Sequence, residues 1–286
     1  MHQILLKIGP AAFRIASAWR QPLDQLATLY RSYPAPSDQN VDFTVRLEPE
    51  KPWRHYIRPS VHISGDFWLP DAAPLPLEQG LLAAEMGMNL QMALGWRRHL
   101  LLHASSVEKD GKALIMTGLS GSGKSTLSAM LAERGWRFMG DEFALLCLKS
   151  GKIFPFPRLI SLKNEAIGAM RSVAAEARFG PEMKATPKGD IRHLVPPEAA
   201  IARMHEPAKP ALLLFPRFGH APELRDMGLS EVFVRLTQAS TNYVALGEAG
   251  FHALTRFVDQ VPVKAIDYQT VDQAEELIEN LWSRLP

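Results

Sequence analysis

One cysteine in 286 residues, Cys147, excludes an internal disulfide framework and any metal site built from several thiolates. It sits in the apolar run 143–148, so a buried, inert thiol is expected. Charge is almost balanced, with a formal net of +2, and the basic excess of nucleic-acid-binding chains is missing. No apolar stretch is long enough to span a bilayer, and Lys7 followed by Gly9-Pro10 breaks any signal-peptide core. These absences lead to the expectation of a cytoplasmic protein with no membrane and no nucleic-acid partner. A homo-oligomer is compatible with the chain. Hydrophobic residues make up 47%, ample for a core, and the length allows one large domain or one domain with a smaller attachment.

What is present is a phosphate-binding pattern. Gly118-Leu119-Ser120-Gly121-Ser122-Gly123-Lys124-Ser125 places two glycines with four residues between them, then Lys and a hydroxyl residue. Glycines let successive backbone N–H groups turn inward around phosphate oxygens. Lys124 is expected to reach the β- and γ-phosphates, Ser125 to ligate Mg²⁺, and Thr126 to follow at the opening of a helix. The flanks agree: 113–117 reads as a buried strand, and Leu127, Met130 and Leu131 share one helical face. A nucleoside triphosphate is the expected ligand.

The first hundred residues are organised differently. Val41, Phe43, Val45 and Leu47 alternate with polar residues, the period of a half-buried strand, among Pro34, Pro36, Pro49, Pro52 and Pro59. Val61-His62-Ile63 reads as a second strand, followed by a proline-rich loop over 69–76 that includes Pro70 and Asp71. From Leu77 to Trp96 the period becomes helical, with Leu81, Leu82, Met86, Leu90 and Leu94 as the core face. The expected division is a small strand-rich module over 1–76 and a nucleotide domain over 77–286.

Past the loop, 136–140 reads as a strand ending at Asp141-Glu142, whereas the strand over 211–215 runs into Pro216-Arg217 and offers no acid. The carboxylate beside the nucleotide is therefore expected from Asp141 or Glu142, with Asp141 as the catalytic group.

The segment 100–146 resembles the catalytic domain of HPr kinase/phosphorylase, and is similar in particular to the bacterial HPr-related kinase A group. The matching residues are His103 and Val107, the glycine-rich loop, Glu133-Arg134-Gly135-Trp136, and Gly140-Asp141-Glu142. Similarity to the second group extends through 154–164, 188–194 and Asn242-Tyr243. The resemblance implies an α/β phosphate-loop kinase fold with ATP and Mg²⁺ as cofactors. Asp141 would activate the acceptor hydroxyl, Glu142 would assist with metal, and His103 would stand near the phosphates or acceptor. Glu142 replaces the family's usual second Asp. The family's Arg-Gly-Leu-Gly segment is replaced by Ile-Ser-Leu-Lys-Asn-Glu at 160–165, and its Gly-Arg-Asn segment by Val-Lys-Ala-Ile-Asp at 263–267. Kinase chemistry is thus implied, and the reverse reaction on phosphoserine is not.

The expected reaction is phosphorylation of a hydroxyl, foremost a serine of a protein or peptide. A metabolite kinase and a nucleotide-dependent switch remain as alternatives. Lys163, Lys188 and Arg192 are candidates for holding phosphoryl or an acidic substrate, with Lys184 in a solvated loop. Scattered histidines give no zinc spacing. In the C-terminal third, Phe251, Leu254, Phe257 and Val258 form one helical face. Thr270 and Gln273 make a capping box for a closing helix with Ala274, Leu277, Ile278 and Leu281.

Overall fold

Turn chemistry sets the first element. The structure, a computed structural model, describes residues 1–36, 40–69 and 72–285. Strands β1 (His2–Ile8) and β2 (Ala11–Ser17) form an antiparallel hairpin closed at Gly9-Pro10. Gly9 has φ +51, and a Cβ there would lie 2.1 Å from the Pro155 carbonyl oxygen, so only glycine fits. Helix α1 (Gln21–Leu29) crosses to β3 (Phe43–Pro49), which runs parallel to β2. Strands β4 (Ser60–Gly65) and β5 (Leu75–Pro76) complete a sheet in the order β1-β2-β3-β4-β5. The expected alternation holds in β3, where Phe43, Val45 and Leu47 are buried and Arg46 is exposed. Of the proline-rich loop, Pro70 and Asp71 lie outside the described residues, while Leu75 and Pro76 pair with β4.

The long helix of the first hundred residues is α2 (Gly80–Gly95), entered through a 3₁₀ turn at Leu77–Gln79. It packs on β3, β4 and α1. Its buried face differs from the expected one: Leu81, Leu82, Ala84, Met88 and Met92 are covered, whereas Met86 is exposed. Gly87 and Gly95 lie on the face turned to the sheet, where a Cβ would lie 2.5 Å from Val45 Cγ1 and 2.4 Å from the Phe43 ring. A boundary after residue 76 would therefore fall between a sheet and the helix that covers it. The same core continues into Leu101, Phe143, Leu145, Phe156, Leu159 and Ile191. Tyr33 reinforces the join by donating its hydroxyl hydrogen to the Pro157 carbonyl at 2.5 Å.

Next come β6 (His99–Leu102), β7 (Ala104–Lys109), β8 (Lys112–Thr117), α3 (Lys124–Glu133), β9 (Arg137–Gly140), β10 (Ala144–Cys147) and β11 (Ile153–Phe154). They are followed by β12 (Ile160–Lys163), α4 (Glu165–Arg171), β13 (Phe179–Thr186), β14 (Gly189–Leu194) and α5 (Glu198–Ala202). The chain closes with β15 (Lys209–Phe218), β16 (Glu223–Asp226), α6 (Leu229–Ala239), α7 (Tyr243–Gln260), β17 (Val263–Tyr268) and α8 (Val271–Trp282). A mixed six-stranded sheet runs β16-β17-β15-β8-β7-β9, with β8 parallel to β15 and β15 parallel to β17. Two three-stranded sheets, β11-β10-β6 and β12-β14-β13, flank it.

The central strand β8 is apolar from Ala113 to Met116 because both of its faces are covered there. Leu114 and Met116 pack with α3 and α8 through Leu127, Leu131, Ala274 and Ile278. Ala113 and Ile115 pack with α6 and α7 through Leu236, Leu254 and Phe257. The chain is a mixed α/β protein, and among its described residues no helix is long and apolar enough to cross a membrane. The capping box at Thr270 is present, with both reciprocal bonds made. Phe251 departs from expectation: it is exposed on α7 and meets Phe233 edge-on. Cys147 departs too, being half-buried at the end of β10. Burial alone would raise its pKa, but hydrogen bonds from the Ser150 region and the Lys149 charge bring it below the usual value.

Candidate functional site

The turn between β8 and α3 has the conformation its glycines permit. Gly118, Gly121 and Gly123 take φ of +148, +81 and +92. Gly123 is the residue before the first helical turn, in a left-handed conformation, and a Cβ there would lie 2.3 Å from the Tyr268 hydroxyl oxygen. Both the backbone and the space require glycine. The first amides of α3 consequently open toward a cavity of about 850 Å³ lined by Ser120, Gly121, Gly123, Lys124, Ser125 and Thr126. Gly118 and Ser122 act from behind. The Lys124 ammonium donates to the carbonyls of Gly118 at 2.8 Å and Leu119 at 2.9 Å, with Ser122 Oγ at 3.5 Å. Burial lowers the Lys124 pKa, Asp141 and Glu142 raise it, and Lys163 lowers it again.

The acids reach the same cavity from β9. That strand pairs with β7 and not with β8, so one antiparallel strand lies between loop strand and acid strand. The intervening strand supplies a residue that sequence reading missed. Ser105 Oγ donates to Asp141 Oδ1 at 2.7 Å. Asp141 Oδ2 is buried and has no hydrogen-bond partner among the described residues. Burial first, and the Glu142 carboxylate second, push the Asp141 pKa up to about 6; the Ser105 and Ser125 hydroxyls and Lys163 pull the other way. The only sequence signal for Ser105 is the run of small residues Ala104-Ser105-Ser106, which keeps β7 slim beside the acid.

His103 stands in the link between β6 and β7, fixed by its backbone: its N–H donates to Ala239 and its carbonyl accepts from Thr117 Oγ1 at 3.0 Å. Its Nδ1 is 3.7 Å from Glu142 Oε2. Burial lowers its pKa, Glu142 raises it, and Lys124, Lys163 and Lys188 lower it, which leaves the ring neutral near pH 7.

The opposite wall comes from the β12-β14-β13 sheet. Lys163 ends β12, Lys188 sits in the tight turn between β13 and β14, and both line the cavity. Arg192 does not. It lies opposite Leu162 in the register, on the other face of the sheet from Ser161 and Lys163. Its guanidinium is buried and donates to the Gly180 carbonyl at 2.8 Å and to Glu176 at 2.6 Å, so it ties sheet to turn. Lys184 is exposed on β13. Asn164 is a further residue of the wall, held at φ +49, with Oδ1 accepting from the Asp190 amide at 3.1 Å. Strained backbone of this kind persists only where surrounding contacts enforce it. Phe218 and Tyr268 close the far side, edge to face with ring centres 5.6 Å apart.

Three lysines and three carboxylates, Asp141, Glu142 and Glu165, thus share one cavity with a helix N-terminus. That set can bind a polyanion and hold a proton acceptor beside it. Comparison with protein-family models and with curated proteins gives no match for this chain.

Proposed function

We propose that this protein is a phosphate-loop kinase of the HPr kinase type, which transfers the γ-phosphoryl group of ATP to a hydroxyl, foremost a serine of a protein or peptide. One observation carries the reading: Asp141, buried and with one oxygen unpartnered among the described residues, faces the same cavity as Lys124 and the open amides of α3. A nucleotide-binding switch has no need of a buried carboxylate held near neutral pKa, whereas a phosphotransferase uses it as the base.

The chain's residues divide the task. Loop amides and Lys124 hold the β- and γ-phosphates and stabilise charge as it develops. Asp141 is ionised above its pKa of about 6 and accepts the acceptor's hydroxyl proton. As the hydroxyl oxygen bonds to the γ-phosphorus, the bond from that phosphorus to the β–γ bridging oxygen breaks and ADP departs. Lys163 and Lys188, which line the same cavity, would offset the charge of the transferred group. Ser125 and Glu142 are hard oxygen donors that suit Mg²⁺, and both line the cavity beside Lys124. Bound there, the ion would neutralise charge on the phosphates.

The test is transfer of label from γ-labelled ATP to serine-containing peptides by parent and Asp141→Asn. Transfer by the parent and loss in the variant supports the reading; equal transfer by both rejects the role of Asp141.

A further inference from the structure

An aromatic ring is left open at one end of the loop cavity. Along β15 the side chains alternate between the two faces of the central sheet. Leu212 and Leu214 lie under α3 and α8, together with Ile266 and Tyr268 of β17. Phe218 continues that row four residues beyond Leu214, yet it is 51% exposed and lines the cavity. Its place is nonetheless fixed. The Phe218 backbone N–H donates to the Ser122 carbonyl of the phosphate loop at 3.3 Å. Phe218 pairs in register with Tyr268, and the two rings meet edge to face. One position earlier, Arg217 Nε donates at 3.0 Å to the buried Asp267 carboxylate, which clamps β15 to β17 beside the aromatic pair.

Sheet order gives the cavity two ends. From the loop strand β8, the acid strand β9 lies beyond β7 on one side, while β15 and then β17 lie on the other. Asp141 and Glu142 follow β9 at the first end. Phe218, Tyr268 and Val271, on or just after β15 and β17, line the second. Neighbouring strands stand about 4.8 Å apart, so β17 runs roughly 10 Å from the loop strand. A triphosphate on the α3 amides with its γ-phosphoryl group toward Asp141 therefore sends its other end toward the aromatic pair. The carboxyl ends of the parallel strands β8, β15 and β17 all open on this side, the position that ligands of open α/β sheets occupy.

Resting on the kinase reading above, we infer that Phe218 is the platform on which the base of the bound nucleotide stacks, with Val271 beside it. A flat heteroaromatic ring gains from an aromatic face by offset stacking and by the apolar area it covers. Tyr268 is a positioning residue: it is 2% exposed, and its ring braces Phe218 from the core side. The cavity of about 850 Å³ has room for a base and sugar as well as the phosphates. Phe218 thereby separates a nucleotide from a bare polyphosphate, which the loop amides and Lys124 alone would hold equally well.

The test compares two ligands that share phosphates and differ in the base. The parent, Phe218→Ala and Phe218→Tyr would be titrated by calorimetry with a non-hydrolysable ATP analogue and with inorganic tripolyphosphate, both in Mg²⁺. The parent should bind the analogue more tightly than tripolyphosphate. Phe218→Ala should weaken the analogue by on the order of tenfold, the usual share of one stacked base, and leave tripolyphosphate unchanged. Phe218→Tyr keeps the aromatic face and should keep the parent's preference. Equal weakening of both ligands in Phe218→Ala would assign the side chain to loop shape and overturn the base subsite. An unchanged analogue affinity in that variant, or a parent that binds both ligands alike, overturns it too. A parent that binds neither ligand rejects the phosphate loop itself and the subsite with it. Base-dependent binding that Phe218→Ala removes, with no label transferred from ATP to serine peptides, keeps the subsite and counts against the kinase reading instead.

Discussion

Ser105 Oγ donates to Asp141 Oδ1 at 2.7 Å, and this bond orients the carboxylate so that its other oxygen has no hydrogen-bond partner among the described residues. Position 105 lies on β7, between the loop strand and the acid strand, so three strands cooperate in placing one proton acceptor. The arrangement stabilises the carboxylate only in part, since burial and Glu142 still hold its pKa at about 6.

Asp141→Asn keeps the Ser105 bond and removes the charge. Nucleotide binding should persist while transfer falls roughly 10²–10⁴-fold, the usual share of a general base. Stability should move the other way. A carboxyl with a folded pKa above its unfolded value binds its proton more tightly when folded, so the parent loses stability as pH rises from 3.8 through about 6. The variant lacks this loss and should be more stable at pH 8 by on the order of 2 kcal/mol, with the difference vanishing near pH 3.5. Thermal melts of both proteins across that range check it; equal melting at pH 8 contradicts the perturbed carboxyl.

Lys124→Ala should weaken a non-hydrolysable ATP analogue by about 100-fold in calorimetric titration, because a charge-assisted phosphate contact is lost. Gly123→Ala should be worse, since it adds a clash with Tyr268 to a backbone at φ +92. If Gly123→Ala bound nucleotide normally, the loop conformation described above would be wrong.

Glu85→Gln should destabilise the fold by about 3–5 kcal/mol. Glu85 on α2 is the buried partner of Arg158 and accepts the Tyr30 hydroxyl at 2.8 Å, so the change leaves a buried guanidinium without its counter-charge. Urea denaturation reads this directly, and a shift under 1 kcal/mol would show that Arg158 finds another partner.

A chain beginning at Leu77 should not fold cooperatively. It would expose Leu81, Ala84, Met88 and Met92, whose cover is the N-terminal sheet. At roughly 1.5–3 kcal/mol for each large side chain, the loss rivals a typical total stability of about 5–15 kcal/mol. A sharp thermal transition in that shortened chain would establish the N-terminal sheet as a separate domain.

Local chemistry made much of this protein legible from sequence. The loop at 118–125, the strand before it, the helix after it and the capping box at Thr270 depend on residues within a few positions of one another, and each stands where its pattern indicated. The alternation of Phe43, Val45 and Leu47 was equally local. Tertiary structure decided everything that depends on register and rotation. Arg192 and Lys163 looked equivalent as basic residues in one stretch, yet cross-strand pairing sends them to opposite faces of a sheet. Met86 fitted the helical core face, yet the helix sits on the sheet through Gly87 and Gly95, which buries Met88 and leaves Met86 exposed. Ser105 carries no motif at all. Its significance arises because strand pairing brings β7 beside the acid strand and so sets its hydroxyl against Asp141, and a one-dimensional pattern contains no information about that pairing.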